Sequence, residues 1–556
     1  MLRTSLLAAA FVAAGHAASA QTVPPGAGGQ LQQIPPAEVP RTTAADLRVE
    51  RPGTGAREAP SGARIRIAVL HVTGATLFSE AELVAATGVS PGAELTLPEL
   101  RNAAAAITAF YNRHGYILAQ AYLPPQEVKD GIVTITVIEG RYGGVTLNNQ
   151  STLSDGVARH RLRGLHPGDP VAIAPLERSL LLLSDFPGVA VHSTLAPGAE
   201  PGASDLVVAL TPGRRVTGSL EADNAGNRYT GTYRLGGTIN FNNPTGYGDR
   251  LSLRLLASTE GLAYGRAAYE APVGDGTLGL AYTHMRYQLG QEFDALDAAG
   301  AADIVSLYGD YPLIRSRRAN LDLFASLDAK RLKDDIGLVS LDSRWDSQAL
   351  SVGLRGDVRD GLGGGGWMAF SITGTTGSLD IKNLVERLAD SLAGQTNGNF
   401  GKAQFSLMRL QNVSGPLSLY GAVRGQVAFD NLDSSEKMEL GGAYGVRAYP
   451  EGEAYGDEGY VATLEARLSL DRWTPTWPGD FQLIGFVDTG EVRFAHDPWS
   501  PGSKSARRHG AGMGLAWMGP GDVTARVTYA ARLGDQPATS APDRSGRVWF
   551  QIIKQF

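Results

Sequence analysis

The chain has 556 residues, a formal net charge of −6, 70 glycines and no cysteine. Without cysteine there can be no disulfide framework, thiolate metal site or cysteine nucleophile. The slightly acidic balance gives no general basic field, so nucleic acid is not an expected partner.

Residues 1–20 have the pattern of a secretory signal peptide. Arg3 supplies the positive start, "LLAAAFVAAG" forms a short apolar core, and "ASA" ending at Ala20 is a small-residue cleavage site. No later stretch of about 18 consecutive apolar residues follows, so no membrane-spanning helix is predicted. The mature chain is therefore expected outside the cytoplasm.

Residues 21–63 are predicted to form a linker. They are rich in Pro, Gly and Ala and hold few large apolar side chains, so ordering them would gain little burial. A short helix around "GGQLQQ" is a candidate plug for a channel lumen, although the segment is poor in helix formers.

Residues 64–140 and 141–213 repeat one order of elements: strand, helix, helix, strand, strand. In the first copy "RIRIAVLHVTG" alternates as a strand, and "SEAELVAATG" begins with a Ser cap and ends at a Gly stop. In the second copy "APLERSLLLLSDFPG" has helical spacing and "SDLVVALTPG" alternates again. The repetition predicts two small α+β domains in tandem.

Residues 214–556 consist mainly of runs of about ten residues with period two, and only "IKNLVERLADSLAG" suggests a helix. In "LSLYGAVRGQVAFD", Leu419 and Val423 share one side of the strand while Arg424 and Gln426 share the other. A soluble sandwich also alternates, but seven short turns separated by eight mostly longer, polar connections favour a membrane barrel. The pattern predicts a transmembrane β-barrel of about sixteen antiparallel strands, preceded by the two α+β domains.

The last segment, "RVWFQIIKQF", is predicted to close this barrel. Phe550, Ile552 and the terminal Phe556 share one side of the strand. A terminal aromatic on an amphipathic strand resembles the closing strand of outer-membrane barrels, although Lys554 interrupts the apolar side.

Three stretches resemble the outer-membrane transporters of two-partner secretion systems, the hemolysin-activator type. Residues 111–142 and 185–198 are similar to the signatures of a first and a second POTRA (polypeptide-transport-associated) domain. The third is the pair "GVRAYPEGEAYGDEGY" and "GFVDTGEV", which resembles the sixth-loop motif and its partner on the barrel wall. The resemblance covers nearly all of the chain after the signal peptide.

This resemblance implies a location and an activity. The barrel would lie in the outer membrane with its POTRA domains in the periplasm. It would recognise an unfolded partner exoprotein, through that protein's N-terminal secretion domain, and secrete it. No cofactor is expected, and the protein is not expected to be an enzyme.

A physical argument also favours contact between the long loop and its partner strand on the barrel wall. In "FQLIGFVDTGEV", Asp488 shares a parity with Gln482 and Ile484 that points into the lumen. A partly hydrated carboxylate there would be stabilised by a guanidinium, which binds it bidentately and keeps its charge. The loop "GGAYGVRAYPEGEAYGDEGY" holds a single arginine, Arg447, which would meet Asp488 if the loop folds inward. Its four acidic groups are expected to face water.

The resemblance implies further residues for this contact between the loop and the barrel wall, which we call the loop–barrel lock. In the family a V-R-G-Y/F loop tip meets an F-x-D-x-G strand. The matching residues here are Val446, Arg447, Tyr449, Phe486, Asp488 and Gly490. Ala448 stands where the family has Gly, and its methyl group restricts the backbone φ angle. The alternative is an Arg447 that lies on a solvated outer loop.

Client binding is predicted less sharply. A domain with this strand order has an exposed edge, to which an extended client could add by backbone pairing. In "YILAQAYLP", Tyr116, Leu118 and Tyr122 are candidate client-binding residues, but the same side chains could equally belong to the domain core.

Other functional classes are less well supported. "VDTGEV" also matches the aspartic-protease signature, but that chemistry needs two carboxylates and no second such motif exists. The nine histidines lack ligand spacing, so no metal or catalytic site is predicted. An insertase that assembles outer-membrane proteins is the main alternative, and two POTRA copies favour secretion over it. A passive porin would not explain Arg447 and Asp488.

Overall fold

The computed structural model describes residues 24–34, 46–49, 62 and 64–556, and it divides into two units. The barrel unit contains residues 215–244 and 249–556 together with the N-terminal residues up to 40. The second unit contains residues 41–214 and 245–248. The predicted signal peptide lies outside the described residues.

The predicted linker contains two short described elements. Helix α1 (Ala27–Gln32) belongs to the barrel unit. Strand β1 (Asp46–Val49) belongs to the second unit, where it pairs in parallel with residues 192–195. Most of the remaining linker lies outside the described part of the chain.

The first α+β domain follows the predicted order of elements. These elements are β2 (Arg64–Arg66), β3 (Val69–Thr73), α2 (Glu80–Thr87), β4 (Glu94–Thr96), α3 (Leu97–Arg113), β5 (Gln120–Tyr122) and β6 (Ile132–Ile138). Helix α2 begins at a capping box between Ser79 and Glu82 and ends at Gly88, whose φ of 67° is left-handed. A three-stranded sheet in the order β3-β6-β5 packs against the helices through buried Leu83, Ile107 and Val133.

Two strand predictions in this domain were too long. "RIRIAVLHVTG" divides into β2 and β3 because Ile67 donates to Ala93 whereas Ala68 donates to Gly131, so the chain changes its pairing partner. In "YILAQAYLPPQ" only β5 is a strand. The preceding residues form turns, in which the backbone N–H of Tyr116 donates to Tyr111.

The second α+β domain repeats the same arrangement. Its elements are β7 (Arg141–Asn149), α4 (Asp155–Leu162), α5 (Ile173–Ser184), β8 (Val189–Pro197) and β9 (Ala203–Pro212). With β1 they form a sheet in the order β1-β8-β9-β7. The leucine run of α5 supplies buried Leu176, Leu180 and Leu183 to its core.

The barrel contains sixteen antiparallel strands, which confirms the predicted number. They are β10 (Val216–Asp223), β11 (Arg234–Asn242), β12 (Arg250–Ser258), β13 (Ala263–Val273), β14 (Gly276–Gln288), β15 (Ala298–Arg315), β16 (Ala319–Ile336), β17 (Leu341–Asp360), β18 (Gly366–Ile381), β19 (Gly398–Ser414), β20 (Leu417–Ala428), then, after the short pair β21 (Met438–Glu439) and β22 (Tyr455–Gly456), β23 (Glu458–Ser469), β24 (Asp480–Arg493), β25 (Ser505–Gly519), β26 (Val523–Arg532) and β27 (Gly546–Gln555). Strands β21 and β22 pair only with each other, inside the long connection between β20 and β23.

Three short 3₁₀ segments and one helix lie in barrel connections. The 3₁₀ segments are Gln291–Leu296, Gly337–Val339 and Leu362–Gly364, and the helix is α6 (Leu384–Leu392). Helix α6 lies within the one segment of this region that the sequence singled out as helical. None of the described helices is long and apolar enough to cross a membrane.

The barrel closes where β10 pairs with β27. This pairing covers five residue pairs, from Ser219 opposite Gln555 to Asp223 opposite Gln551, and the backbone groups of Gly218 and Phe556 extend it by two hydrogen bonds of 3.0 Å. Lys554 faces outward and donates to the carbonyl of Gly521 in a short turn. A long side chain that reaches a turn in this way explains how lysine fits on the apolar side of the closing strand.

Side chains alternate between the two faces of the barrel wall. Outward positions carry exposed apolar residues such as Leu280, Leu327 and Leu350, while inward positions hold ion pairs such as Arg234 with Asp223 at 2.8 Å. Strand length varies strongly around the barrel: β10 to β12 have eight or nine residues, and β15 to β17 have 18 to 20.

Candidate functional site

The connection between β20 and β23 folds into the barrel. Val446, Ala448 and Tyr449 are fully buried and pack with Ile484 and Phe486 of the wall strand β24. The hydroxyl of Tyr449 donates to the carbonyl of Gln536 at 2.9 Å. This loop therefore has an apolar tip that is fixed inside the barrel, whereas a solvated outer loop would keep such side chains exposed.

Arg447 lies against Asp488 in this buried tip. Its Nε donates to Asp488 Oδ2 at 2.8 Å and one Nη donates to Oδ1 at 2.7 Å, so the pair is bidentate. The backbone N–H of Arg447 also donates to Oδ2 at 3.2 Å, and the hydroxyl of Thr463 donates to Oδ1 at 2.9 Å. Four donors thus satisfy a carboxylate that has no exposed surface.

A second carboxylate, Glu465 on β23, completes the site and was not singled out from the sequence. Its Oε1 accepts from Arg447 at 2.7 Å and from Arg526 at 2.9 Å, and its Oε2 accepts from Arg467 at 2.6 Å. The signal that could have found it was its inward parity in "YVATLEARLSLD". Three guanidinium groups and two carboxylates leave the cluster with one excess positive charge.

Two aromatic side chains contact Arg447, one at its guanidinium and one at its backbone carbonyl. The guanidinium carbon lies 3.5 Å from the centre of the Phe486 ring, which allows a cation–π interaction. The indole N–H of Trp549, on β27, donates to the carbonyl of Arg447 at 2.7 Å. No sequence signal pointed to Trp549, because nothing in the pattern of β27 identifies its partner.

Ala448 fits where the family pattern has glycine. It is not among the residues with positive φ, so the backbone here suits an alanine. Its methyl group packs on Gly510 of β25, where a Cβ would lie 2.6 Å from that methyl. Gly490 plays a similar part for Leu440, because a Cβ there would lie 2.7 Å from a Leu440 methyl.

Three of the four acidic groups of the loop do not face water, which corrects the sequence expectation, and the fourth, Glu458, is partly exposed. Glu451, Glu453 and Asp457 are buried. Glu453 accepts from Arg508 at 2.7 Å and Asp457 from Lys437 at 2.6 Å. The sequence could not show this, since the cationic partners lie up to 55 positions away and meet the acids only after the loop has entered the barrel.

Helix α1 also contacts the inner wall of the barrel. The backbone N–H of Ala27 donates to Asp334 at 2.9 Å, and Arg234 donates to the carbonyl of Gln33 at 2.9 Å. Ala27 packs in an apolar cluster with Met285 and Tyr287 of β14. The helix is therefore held at both ends by barrel residues.

The same helix contacts the inward loop. The side-chain amide of Gln33 donates to the Tyr455 hydroxyl at 2.5 Å, and Gln32 donates to the carbonyl of Ser435. A Cβ at Gly28 would lie 2.5 Å from the backbone nitrogen of Ser435. Glycine at this position thus allows helix and loop to approach closely.

The three candidate client-binding residues do not form one surface. Tyr116 packs edge-on against Phe78, with ring centres 5.9 Å apart, and Leu118 packs against the core of the second α+β domain. Only Tyr122, on the edge strand β5, is an exposed side chain. Among the described residues, no group of three or more His, Asp or Glu side chains could hold a metal ion.

Comparisons with known proteins agree with this architecture. The profile of "Haemolysin secretion/activation protein ShlB/FhaC/HecB" matches residues 202–517, more than half of the chain, and "POTRA domain, ShlB-type" matches residues 65–140. The heme/hemopexin transporter protein HuxB of Haemophilus influenzae (strain 86-028NP) is 29% identical over 84% of this chain and 82% of its own. The outer membrane transporter CdiB of Dickeya dadantii (strain 3937) is 23% identical over 69% of each chain.

A solved structure shares the fold. CdiB from Escherichia coli superposes with a TM-score of 0.70 at 22% identity, covering 92% of this chain and 94% of that one. The family match, its POTRA domain and the closed sixteen-stranded barrel lead to one conclusion. The chain belongs to the haemolysin secretion/activation family ShlB/FhaC/HecB and is an outer-membrane transporter of two-partner secretion, with periplasmic POTRA domains.

Proposed function

We propose that the protein passes an unfolded exoprotein through its own barrel, with the inward loop as the fixed wall of the path and α1 as the removable part. The observation that carries this proposal is the buried bidentate pair of Arg447 and Asp488. A guanidinium that is buried with two carboxylates is strongly held, because separating the charges would leave each one desolvated without a partner.

Helix α1 is the better candidate for movement. Its polar contacts with the barrel and loop come mainly from backbone groups and amide side chains, and its one charged acceptor is Asp334. Its glycines bring little side-chain area to the contact. We infer that the helix blocks the lumen at rest and leaves when a client enters.

The client is proposed to be an exoprotein with an N-terminal secretion domain, recognised by the POTRA domains in the periplasm. Of the candidate residues, Tyr122 is the one on an open edge, since β5 has a hydrogen-bonded neighbour on one side only. An extended client segment could pair with that edge. Tyr116 would support this edge from within the first domain, whereas Leu118 packs against the core of the second.

Transport is proposed to proceed without catalysis, cofactor or nucleic acid. No ATP is available at the outer membrane, so the client's own folding outside the cell would supply the driving force. HuxB is named a heme/hemopexin transporter, and the CdiB proteins are named outer membrane transporters. Because these named relatives share the architecture, we propose only their common activity, export of a polypeptide.

The test is export of the client exoprotein in cells that carry Arg447→Ala, with the client first identified by its loss from the medium when this chain is deleted. We expect secreted client to be lost while the barrel stays assembled and heat-modifiable in gels. Arg493→Ala is the matched control, because Arg493 is half-exposed and its contact with Glu458, at 3.5 Å, is weak. Normal secretion by the Arg447→Ala variant would refute the mechanism.

A second readout separates secretion from barrel assembly. Levels of other outer-membrane proteins should not change in either variant. A general loss of those proteins on deletion of this chain would favour the insertase alternative.

A further inference from the structure

The turn between β23 and β24 carries an exposed group of aromatic side chains. It consists of residues 470–479, "LDRWTPTWPG", and is called the tryptophan turn below. It lies at the periplasmic end of the barrel, because β10 follows the periplasmic domains directly and β23 runs in the same direction as β11. The other six turns at this end contain no tryptophan; they are 243–249, 274–275, 316–318, 361–365, 415–416 and 520–522.

The tryptophan turn is ordered by its own backbone. The N–H of Trp473 donates to the carbonyl of Leu470 at 2.7 Å, and that of Trp477 donates to the carbonyl of Thr474 at 3.1 Å. These bonds leave both side chains on the surface, since Trp473 is 62% exposed and Trp477 is 60% exposed. Within the part of the chain that the structure describes, neither indole N–H has a hydrogen-bond acceptor.

An aromatic stack joins this turn to the outer wall. Trp477 packs edge-on against Phe481 with ring centres 5.3 Å apart, and Phe481 stacks on Trp517 at 6.2 Å. The indole N–H of Trp517 donates to the carbonyl of Pro478 at 2.8 Å, which fastens the stack to the turn. Phe481 and Trp517 are directly opposite each other in the register, and Phe481 shares the outward face of β24 with exposed Leu483. The stack is therefore continuous with the apolar outer face of the barrel.

The position of this stack along the wall matches one edge of a bilayer. Toward the other end of β24, the outward face reaches an ion pair between Glu491 and Arg507, at 2.6 Å. Phe481 and Glu491 are ten residues apart (491 minus 481). At about 3.3 Å per residue and a strand tilt of about 40°, this separation is roughly 25 Å along the membrane normal. Because an outward apolar band of about 25 Å is typical of such barrels, the stack lies at the level of the periplasmic headgroups.

The charge of the tryptophan turn does not favour an anionic partner. Asp471 and Asp480 lie on either side of Arg472 in the chain, and all three are exposed. The indole rings offer instead a large apolar surface with one N–H donor each. Such a side chain is best accommodated where hydrocarbon meets polar oxygen atoms, which is why tryptophan is enriched at membrane interfaces.

We propose that the tryptophan turn binds phospholipids of the periplasmic leaflet, with the indole N–H groups of Trp473 and Trp477 donating to ester or phosphate oxygens. The continuity of the stack with the apolar outer face points to the membrane as the partner. Strands β23 and β24 carry Glu465 and Asp488, the two carboxylates that bind Arg447. The anchor thus fixes the depth in the membrane of the strands that hold the inward loop.

The test measures fluorescence quenching in the intact, heat-modifiable protein, reconstituted into phosphatidylcholine vesicles. Trp473→Phe/Trp477→Phe removes both indoles and keeps an aromatic ring beside Phe481. Trp499→Phe is the matched control, because Trp499 lies in the outer connection between β24 and β25. Vesicles contain phosphatidylcholine that is brominated either near the headgroup or near the ends of its acyl chains. The difference in fluorescence between the unmodified protein and each variant reports the side chains that were replaced.

We expect the fluorescence of Trp473 and Trp477 to be quenched at least about twofold more strongly by lipid brominated near the headgroup than by lipid brominated near the chain ends. The fluorescence of Trp499 should be quenched by neither lipid. Quenching of the turn by lipid that is no stronger than that of Trp499, or quenching by aqueous iodide that is as strong, would overturn the proposal.

A second arm tests which groups make the contact. Replacing phosphatidylcholine by phosphatidylglycerol, or raising the salt concentration, should leave the quenching of Trp473 and Trp477 unchanged, because neutral donors and apolar area are insensitive to screening. A requirement for anionic lipid that is lost at high salt would overturn the assignment to the indoles and assign the contact to Arg472.

Discussion

The inward loop and helix α1 both occupy the barrel, but they are held there by different forces. At the loop tip, Arg447 makes three charge-assisted hydrogen bonds of 2.7 to 2.8 Å with Asp488 and Glu465. Helix α1 relies on backbone groups and three glutamine side chains, with Asp334 as its single carboxylate acceptor and Arg234 as a charged donor to the carbonyl of Gln33. The loop is thus an ionic part of the wall, while the helix is a weakly attached insert.

The free energies that hold the loop and the helix inside the barrel differ in the same order. Removing one partner of a buried ion pair costs about 3–5 kcal/mol, because the other charge stays desolvated. A neutral hydrogen bond contributes about 0.5–1.5 kcal/mol net, and one that involves a charged group, such as Asp334 or Arg234, about 1.5–3 kcal/mol. A transporter that must open one element while keeping its wall intact would need this order of strengths.

Among substitutions that affect the position of the loop or the helix, Asp488→Ala on β24 should have the largest effect. It leaves Arg447 buried with only Glu465, which Arg467 and Arg526 share, so we expect a loss of about 3–5 kcal/mol in the stability of the loop position. Protease sensitivity of residues 441–460 in the assembled barrel measures the effect. Unchanged protection would show that the apolar tip alone holds the loop.

Gly510→Ala should have a smaller effect on the same loop. Its new methyl would lie 2.6 Å from that of Ala448, and overpacking of this kind costs about 1–3 kcal/mol. The double variant Ala448→Gly/Gly510→Ala moves the methyl group to the other side of the contact. We expect it to regain most of the loop protection, and failure to do so would show that this contact is not the cause.

Gly28→Val should affect the helix and spare the loop. A side chain at this position meets the backbone of Ser435, so α1 should be displaced from the lumen. We expect a higher ion conductance in planar bilayers with normal protease protection of residues 441–460. If conductance and protection change together, helix and loop move as one unit and are not held independently.

Glu139 in the first POTRA domain is also a buried carboxylate that accepts several hydrogen bonds. Its effect on stability should be smaller than that of Asp488 and should depend on pH. Burial raises its pKa, but hydrogen bonds from the Thr76 side chain and the backbone of Thr76 and Leu77 outweigh this, so its pKa is lowered. A lowered pKa means that the stabilisation is present at neutral pH and is lost as the pH falls through the folded-state pKa.

Hydrogen exchange of the Thr76 and Leu77 amides in the intact protein, corrected for intrinsic rates, checks this. Glu139→Gln should reduce protection at about pH 7, where the wild-type carboxylate is charged, and the difference from the unmodified protein should shrink as the medium becomes acidic. A difference that is independent of pH would show that shape, not charge, holds the segment.

The repeated patterns of the sequence were enough to predict the architecture. Period-two alternation is a local property, so strands and their inward faces could be predicted from single segments such as "LSLYGAVRGQVAFD", and the seven short turns and eight longer connections predicted their number. Helix caps are also local signals, so the start of α2 at Ser79 and its end at Gly88 were predicted correctly. The strand predicted at 116–126 is confined to β5, because the residues before it form turns in which Tyr116 bonds to Tyr111 and packs on Phe78.

The candidate site was predicted only in part. Arg447 and Asp488 were found through a motif and a parity argument, and the structure places them in contact. Glu465 lies on another strand and Trp549 on the last one, so their approach to Arg447 depends on barrel register. The acids of the loop were expected in water because their partners, such as Arg508, lie far along the chain.

The short closure of the barrel has a consequence for how the protein folds. Strands β10 and β27 begin 330 positions apart (546 minus 216), and they share five register pairs, whereas β16 and β17 share 18. Joining distant ends costs chain entropy that rises with the logarithm of the intervening length, while neighbouring strands meet across short connections. Hairpins of neighbouring strands should therefore form early, and the pairing of β10 with β27 should form last. The barrel can close only once β27 has been synthesised.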